Sequence, residues 1–163
     1  MIESDIEPIL DLFAVVADER VYIATEPGFD RPAYRARLEG GLGRDALPIW
    51  VVVDDATTLQ PGEPTIGQLG LWTGDDDGIS LGMMVAPAFR GLGLGRLLLQ
   101  TAMDWARANG HATLALLVYP GNRRAIALYH AMGFEQVAYY ERDIRRQSGE
   151  VWDTILMRAS LTG

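Results

Sequence analysis

The strongest constraint on this chain is a short glycine-rich run, Arg90-Gly91-Leu92-Gly93-Leu94-Gly95-Arg96, set between a strand-like and a helix-like segment. Glycine permits the tight turns that a Cβ would obstruct, and it lets backbone N–H groups approach a ligand closely. A helix that starts right after the turn adds partial positive charge. A pyrophosphate could be held at such a place, and the flanking arginines add charge. Two familiar phosphate loops do not fit. A dinucleotide fingerprint counted from Gly91 would need glycine where Arg96 stands, and counted from Gly93 it would need glycine at Leu98. A Walker loop needs a lysine at its end, and the chain has none. The pattern that remains is Arg-x-x-Gly-x-Gly at Arg90, Gly93 and Gly95, and by itself it is equally compatible with a purely structural turn.

The surroundings of the loop read as alternating strands and helices. Apolar residues at Ile6, Ile9, Leu10, Phe13, Ala14 and Ala17 predict a helix over Asp5 to Ala17, with Ser4 as N-cap and Glu7 completing a capping box. A second helix is predicted from Arg31 to Glu39, ending at Gly40-Gly41. Strands are predicted at Ile49–Val53, Thr65–Thr73 and Ile79–Val85, with loops at Thr57–Pro64 and in the acidic turn Gly74–Gly78. After the glycine loop a helix is expected from Gly93 to Asn109, with Leu94, Leu97, Leu98, Ala102 and Trp105 on one face and Gly110 as C-cap. Thr113–Tyr119 is nearly all apolar, as in a strand covered on both faces. Asn122 caps a helix to Met132, stopped by Gly133. Phe134–Ile144 and Val151–Met157 are the last predicted strands, joined by a turn at Gln147–Gly149. This order implies a mixed α/β fold with at least one right-handed crossover.

Composition excludes several chemistries. A length of 163 residues fits a single domain over 1–163, with no linker dividing it. With no cysteine there is no disulfide, thiolate metal site or cysteine nucleophile. All 14 basic residues are arginine, which removes lysine Schiff-base chemistry. Two histidines, His111 and His130, argue against a histidine-built metal centre, and both are expected at the surface. No metal is expected. A net charge of -8 argues against a nucleic-acid partner, and no apolar run is long enough for a membrane span. The N-terminus lacks the pattern of a secretory signal, so a cytoplasmic location is the default expectation. Charge is also unevenly spread. Between Gly78 and Phe134 five arginines face the single acid Asp104, so this stretch is suited to an anion while the acidic remainder could attract a cation.

Two motifs then make the reading specific. The run from Met83 to Gly95, with its Val-x-Pro step at Val85-Ala86-Pro87, resembles the acetyl-CoA motif of the GNAT acetyltransferases. The segment from Asn122 to Phe134 resembles that family's second signature, Asn-x-x-Ala-x-x-x-Tyr-x-x-x-Gly-Phe. The likeness is clear from Ile66 to Met157 and weaker before that. It implies the family's fold: a central, mostly antiparallel twisted sheet, splayed at the acetyl-CoA site and flanked by helices. It also implies an acetyl-CoA-dependent N-acetyltransferase acting on a primary amine of a small molecule or amino acid. The alternatives are a protein N-terminal or side-chain acetyltransferase, and a non-catalytic acyl-CoA-binding sensor.

By the same resemblance, Arg90, Gly91, Leu92, Gly93, Leu94, Gly95 and Arg96 would hold the pyrophosphate. Met83, Met84 and Val85 would pair with the pantetheine arm like a strand, the Met83 N–H polarising the thioester carbonyl. Asn122 would touch the pantetheine, and Tyr129 would protonate the departing thiolate as general acid. Asn122 and Tyr129 are seven residues apart, close to two helical turns, and so share a face. Tyr22, Glu26 and Asp153 are the candidate acceptor-site residues. The chain departs from the family where many members place a glutamate base, since the matching positions are Ile79 and Leu117. Glu26, Asp30, the Asp75–Asp77 turn or a water relay are the candidates that remain. The family also usually opens with a strand before its first helix. Only Met1–Glu3 precede the helix here, so that strand is short, missing or lost through a misassigned start. A homodimer is suggested by family analogy, with no residue fixing an interface.

Overall fold

A computed structural model describes residues 1–43, 47–54, 64–74 and 78–162. The elements are α1 (Ile6–Asp18), α2 (Arg31–Gly40), β1 (Ile49–Val53), β2 (Thr65–Thr73), β3 (Ile79–Val85), α3 (Leu94–Ala108), β4 (Thr113–Val118), α4 (Arg123–Ala131), β5 (Glu135–Arg145) and β6 (Val151–Ser160). The strands follow the order β1-β2-β3-β4-β6-β5. β1 and β2 are antiparallel, as are β4 with β6 and β5 with β6. β3 and β4 run parallel, paired at Ile79↔Leu114 and Ser80↔Ala115. That parallel pair is the crossover expected from a strand–helix–strand order, with α3 as its connection.

The chain forms two compact units, one of Met1–Gly70 with Met83–Leu98, the other of Leu71–Gly82 with Leu99–Gly163. Each is built from two separated stretches of chain. In the first unit, α1 buries Ile6, Ile9 and Leu10 with Leu38 of α2, and Phe13, Phe29, Tyr34, Ile49 and Val51 pack around them. Full burial of each such aliphatic side chain is worth roughly 1.5–3 kcal/mol. Leu12 and Val16, on another face of α1, pack against Met84 of β3. Successive strand residues face opposite sides, so Met83 and Val85 point away from the face that Met84 occupies. Above this core Arg31 bridges Glu7 and Asp11, and Arg35 bridges Glu7 and Glu39.

In the second unit the β5–β6 hairpin is irregular between Tyr140 and Ile144, where Arg142 takes a φ of 56°. Asp153 holds this bulge, accepting from the Tyr139 hydroxyl at 2.5 Å and the Arg142 N–H at 2.8 Å. Trp152 is contacted on its face by the buried Arg146, 4.4 Å from the ring centroid, and edge-on by Tyr119.

Several local expectations are corrected. Ser4 is not the cap of α1: the chain enters through a 3₁₀ turn at Glu3–Asp5, and Asp5 instead accepts from the Ile2 N–H at 2.7 Å. No strand is present among residues 1–5. On α3 the buried stripe is Leu98, Leu99, Ala102, Met103 and Ala106, whereas Leu97 is 57% exposed. Both candidate stripes have helical spacing and share Leu98 and Ala102, so periodicity alone could not choose between them. Leu117 is 55% exposed, so β4 is not covered along its whole length. The Asp75–Asp77 turn and most of the Thr57–Pro64 loop lie outside the described residues.

Candidate active site

The glycine loop belongs to the first unit. β3 ends at Val85, and Ala86 still donates its N–H to the Ile66 carbonyl at 2.8 Å. Pro87–Phe89 then form one 3₁₀ turn. Gly91 and Gly93 follow with φ of 89° and 86°, which L side chains rarely adopt, so both positions favour glycine by conformation. A Cβ built at Gly93 would meet nothing within 4 Å, leaving the backbone open to close approach. The Leu97 N–H bonds to the Gly93 carbonyl at 3.0 Å, so α3 opens at Gly93. The N–H groups of Leu94 and Gly95 therefore have no acceptor earlier in their own helix, which is the geometry that receives anions. An exposed, positive-φ loop at a helix start fits the diphosphate of a coenzyme.

Arg90 is held differently from a loop arginine kept for an anion. Its guanidinium meets the Glu19 carboxylate with Nη1 at 2.7 Å and Nη2 at 2.5 Å, and its Nε donates to the Val85 carbonyl at 3.0 Å. The same group lies 4.8 Å from the centroid of the Tyr22 ring. Glu19 and Arg90 are 71 positions apart, and no motif or spacing marks Glu19 as its partner. Tyr22 and Glu26 lie in the connection between α1 and α2. Farther along that connection, Thr25 shares a 2.8 Å hydrogen bond with Tyr34, and Asp30 caps α2 by accepting from the Ala33 N–H at 3.0 Å. Phe29 stacks edge-on against Tyr34.

The second unit carries Asn122, Tyr129 and Asp153. Asn122 caps α4, its Oδ1 accepting from the Ala125 N–H at 3.3 Å. Tyr129 lies two turns on and is 7% exposed, packed against Phe134. Burial raises its phenol to about 12, so its proton is firmly held. Asp153 commits both carboxylate oxygens to the β5–β6 bulge. Its ionisation is pushed below the usual carboxylate range, chiefly by the Arg142 N–H and then by the Tyr139 hydroxyl. At the positions where many family members place a base, Ile79 is buried and Leu117 exposed, and neither can titrate. His111 stacks on Trp105, and His130 sits at a hydrogen-bonding distance of 3.1 Å from the Phe134 carbonyl. Among the described residues, no group of three or more His, Asp or Glu side chains is placed to hold a metal ion. Nor is any described helix long and apolar enough to cross a membrane.

The first unit thus carries a strand, a positive-φ glycine turn and a helix start suited to an anion, and the second unit carries a capped helix with a buried tyrosine. The sequence matches the model of the acetyltransferase (GNAT) family over residues 12–134, and the chain belongs to that family. It is 33% identical over 111 residues to mycothiol acetyltransferase of Thermobifida fusca, a segment covering 68% of this chain and 31% of that protein. It is 39% identical over 61 residues to the [ribosomal protein bS18]-alanine N-acetyltransferase of Salmonella typhimurium, covering 37% of this chain and 41% of the relative. The matched segments thus span less than half the length of these relatives. Among solved structures, an N-acetyltransferase from Staphylococcus aureus Mu50 superposes with a TM-score of 0.84 at 18% identity, over 99% of this chain and 96% of that one. A phosphinothricin acetyltransferase from Sinorhizobium meliloti, solved with AcCoA, gives 0.81 at 19% identity, over 98% and 85%. At such identities the superpositions establish the shared fold.

Proposed function

We propose that this protein transfers the acetyl group of acetyl-CoA to a primary amine of a small molecule or amino acid. The observation that carries the reading is the turn Gly91–Gly93, whose two positive-φ glycines lead into α3, with open space beside Gly93. Backbone N–H groups of residues 91 to 96 receive the diphosphate, and Arg96 adds charge. Met83 to Val85 offer strand edges to the pantetheine arm, with one approach to the Val85 carbonyl already taken by Arg90. Asn122 meets the same arm. Acetyl-CoA supplies an activated acetyl group as its thioester.

The Met83 N–H stabilises the negative charge that develops on the carbonyl oxygen. Tyr129 gives its proton to the leaving sulfur. A free thiol titrates near 8.5, so a phenol raised to about 12 holds its proton more tightly than a free thiol would. Full transfer to the thiolate is therefore uphill, so Tyr129 acts as general acid through a hydrogen bond to the sulfur that strengthens as the C–S bond breaks, and any proton it gives up is restored by the one the amine releases. The attacking amine must be neutral, and Glu26 or a water relay takes up its proton. Tyr22 and Glu26 supply the acceptor wall. Asp153, the third candidate for the acceptor site, is committed to the β5–β6 bulge.

The 39% identical segment shared with an alanine N-acetyltransferase supports a second reading, in which a protein N-terminus is the acceptor. Thiol release from acetyl-CoA, measured over a panel of small amines, amino acids and N-terminal peptides, separates the two. Turnover confined to peptides selects the second reading. Acetyl-CoA binding with no turnover on any acceptor identifies a sensor and overturns both.

A further inference from the structure

The motif assigns Arg90 to the coenzyme, yet its guanidinium is already engaged on three sides. The two Nη groups fork onto Glu19, Nε donates to the end of β3, and Cζ lies over the Tyr22 ring. Only arginine can make these contacts together, because its donors are fixed in one plane that also stacks on aromatic rings. The pair is half-buried, with side-chain exposures of 22% and 26%, so it is shielded better than a surface ion pair. It also neutralises the charge that would otherwise attract a diphosphate.

The Glu19 contact falls at a decisive point in the chain. Glu19 is the residue where α1 ends, and Arg20 after it turns the backbone at a φ of 57°. The connection to α2 begins there. Its far end is tied to α2 by the Thr25–Tyr34 bond and the Asp30 cap. Its near end is tied by Glu19 and Tyr22 to Arg90, the residue directly before Gly91.

We propose that Arg90, Glu19 and Tyr22 form a joint that places the α1–α2 connection against the coenzyme loop, so that Arg90 is a positioning residue for the acceptor amine and not a phosphate ligand. This rests on the acetyl-transfer reading above, in which Tyr22 and Glu26 face the amine. The joint is neutral overall and touches backbone at the end of β3. Breaking it releases the acceptor wall and leaves the N–H groups of the loop in place.

The test is a double-mutant cycle with Glu19→Gln and Arg90→Gln. Acetyl-CoA affinity is read by calorimetry, amine KM and kcat by steady-state kinetics, and the order of residues 19–30 by hydrogen exchange. Each single variant is expected to raise the amine KM about tenfold and speed exchange across residues 19–30, and the double variant to be little worse than either. Acetyl-CoA affinity stays within about twofold, and kcat at saturating amine is retained. A phosphate ligand behaves otherwise: Arg90→Gln alone would weaken acetyl-CoA tenfold or more, while Glu19→Gln would leave it unchanged or tighten it. That result overturns the proposal. Should Arg90→Gln fail to fold, Glu19→Gln preserves side-chain shape and decides alone, with unchanged amine KM and unchanged exchange counting against the joint. Hydrogen exchange needs no coenzyme. A wild-type protein that fails to bind acetyl-CoA would thus sink the transferase reading without being mistaken for failure of the joint.

Discussion

Tyr129 is the proton donor in the proposed reaction, and burial raises its phenol to about 12. Replacing it with phenylalanine keeps the ring against Phe134 and removes only the hydroxyl. The expected loss is about 10²-fold or more in kcat, with acetyl-CoA affinity nearly unchanged, read by thiol release and calorimetry. Its raised phenol also fixes a pH dependence. The folded state keeps this proton more tightly than the unfolded chain, so the contribution to stability is complete below pH ~10 and is lost as pH climbs toward 12. Tyrosinate absorbance should therefore contain a component titrating near 12, and Tyr129→Phe should remove that component, while Tyr139, raised by its hydrogen bond to Asp153, still titrates above the ordinary phenol range. At Gly93 the constraint is conformational. Gly93→Val places a side chain on a φ of 86°, at a strain of roughly 1–2 kcal/mol, and sets it against the approaching diphosphate. Acetyl-CoA binding should weaken sharply while the fold persists, and unchanged affinity would remove the loop from the site.

At the scale of elements, α4 and the β5–β6 hairpin show how one side chain can serve local structure. Asn122 caps α4, so Asn122→Ala should destabilise the protein by about 1 kcal/mol in denaturant unfolding. Asn122→Asp keeps the capping oxygen, and a loss of acetyl-CoA affinity in that variant alone would expose a separate contact with the coenzyme. Asp153→Ala frees the Tyr139 hydroxyl and the Arg142 N–H. Exchange protection across residues 139–145 should fall, and kinetic effects should follow the hairpin's disorder. Because the Asp153 carboxyl is held below its ordinary range, this bulge is secure at neutral pH and loosens only as pH drops through the folded value. Most elements were legible from periodicity and caps: β1, β2 and β3 have the predicted bounds, and Asn122, Gly110 and Gly133 stand where the helix ends were expected. The entry to α1 was not legible, because a 3₁₀ turn and a capping box draw on the same small polar residues. The buried stripe of α3 was not legible either, since two stripes of equal spacing compete and packing alone selects one.

For the molecule as a whole, the coenzyme is the natural probe. A ligand bound only by the folded chain stabilises it by about 2.7 kcal/mol at a hundred times its Kd. Acetyl-CoA should raise the melting temperature by several degrees, and Gly93→Val should abolish that shift. The sequence by itself determined the family, the mixed α/β fold, the loop that turns through positive-φ glycines and the helix that carries Tyr129, because each rests on short-range spacing and on residues with few conformational alternatives. Only the tertiary structure decided that Arg90 is bound by a glutamate 71 residues away, that Asp153 clamps a hairpin bulge, and that burial strengthens the hold of Tyr129 on its proton. Those facts depend on which distant groups the packed chain brings within hydrogen-bond distance and removes from water, and no local pattern encodes them.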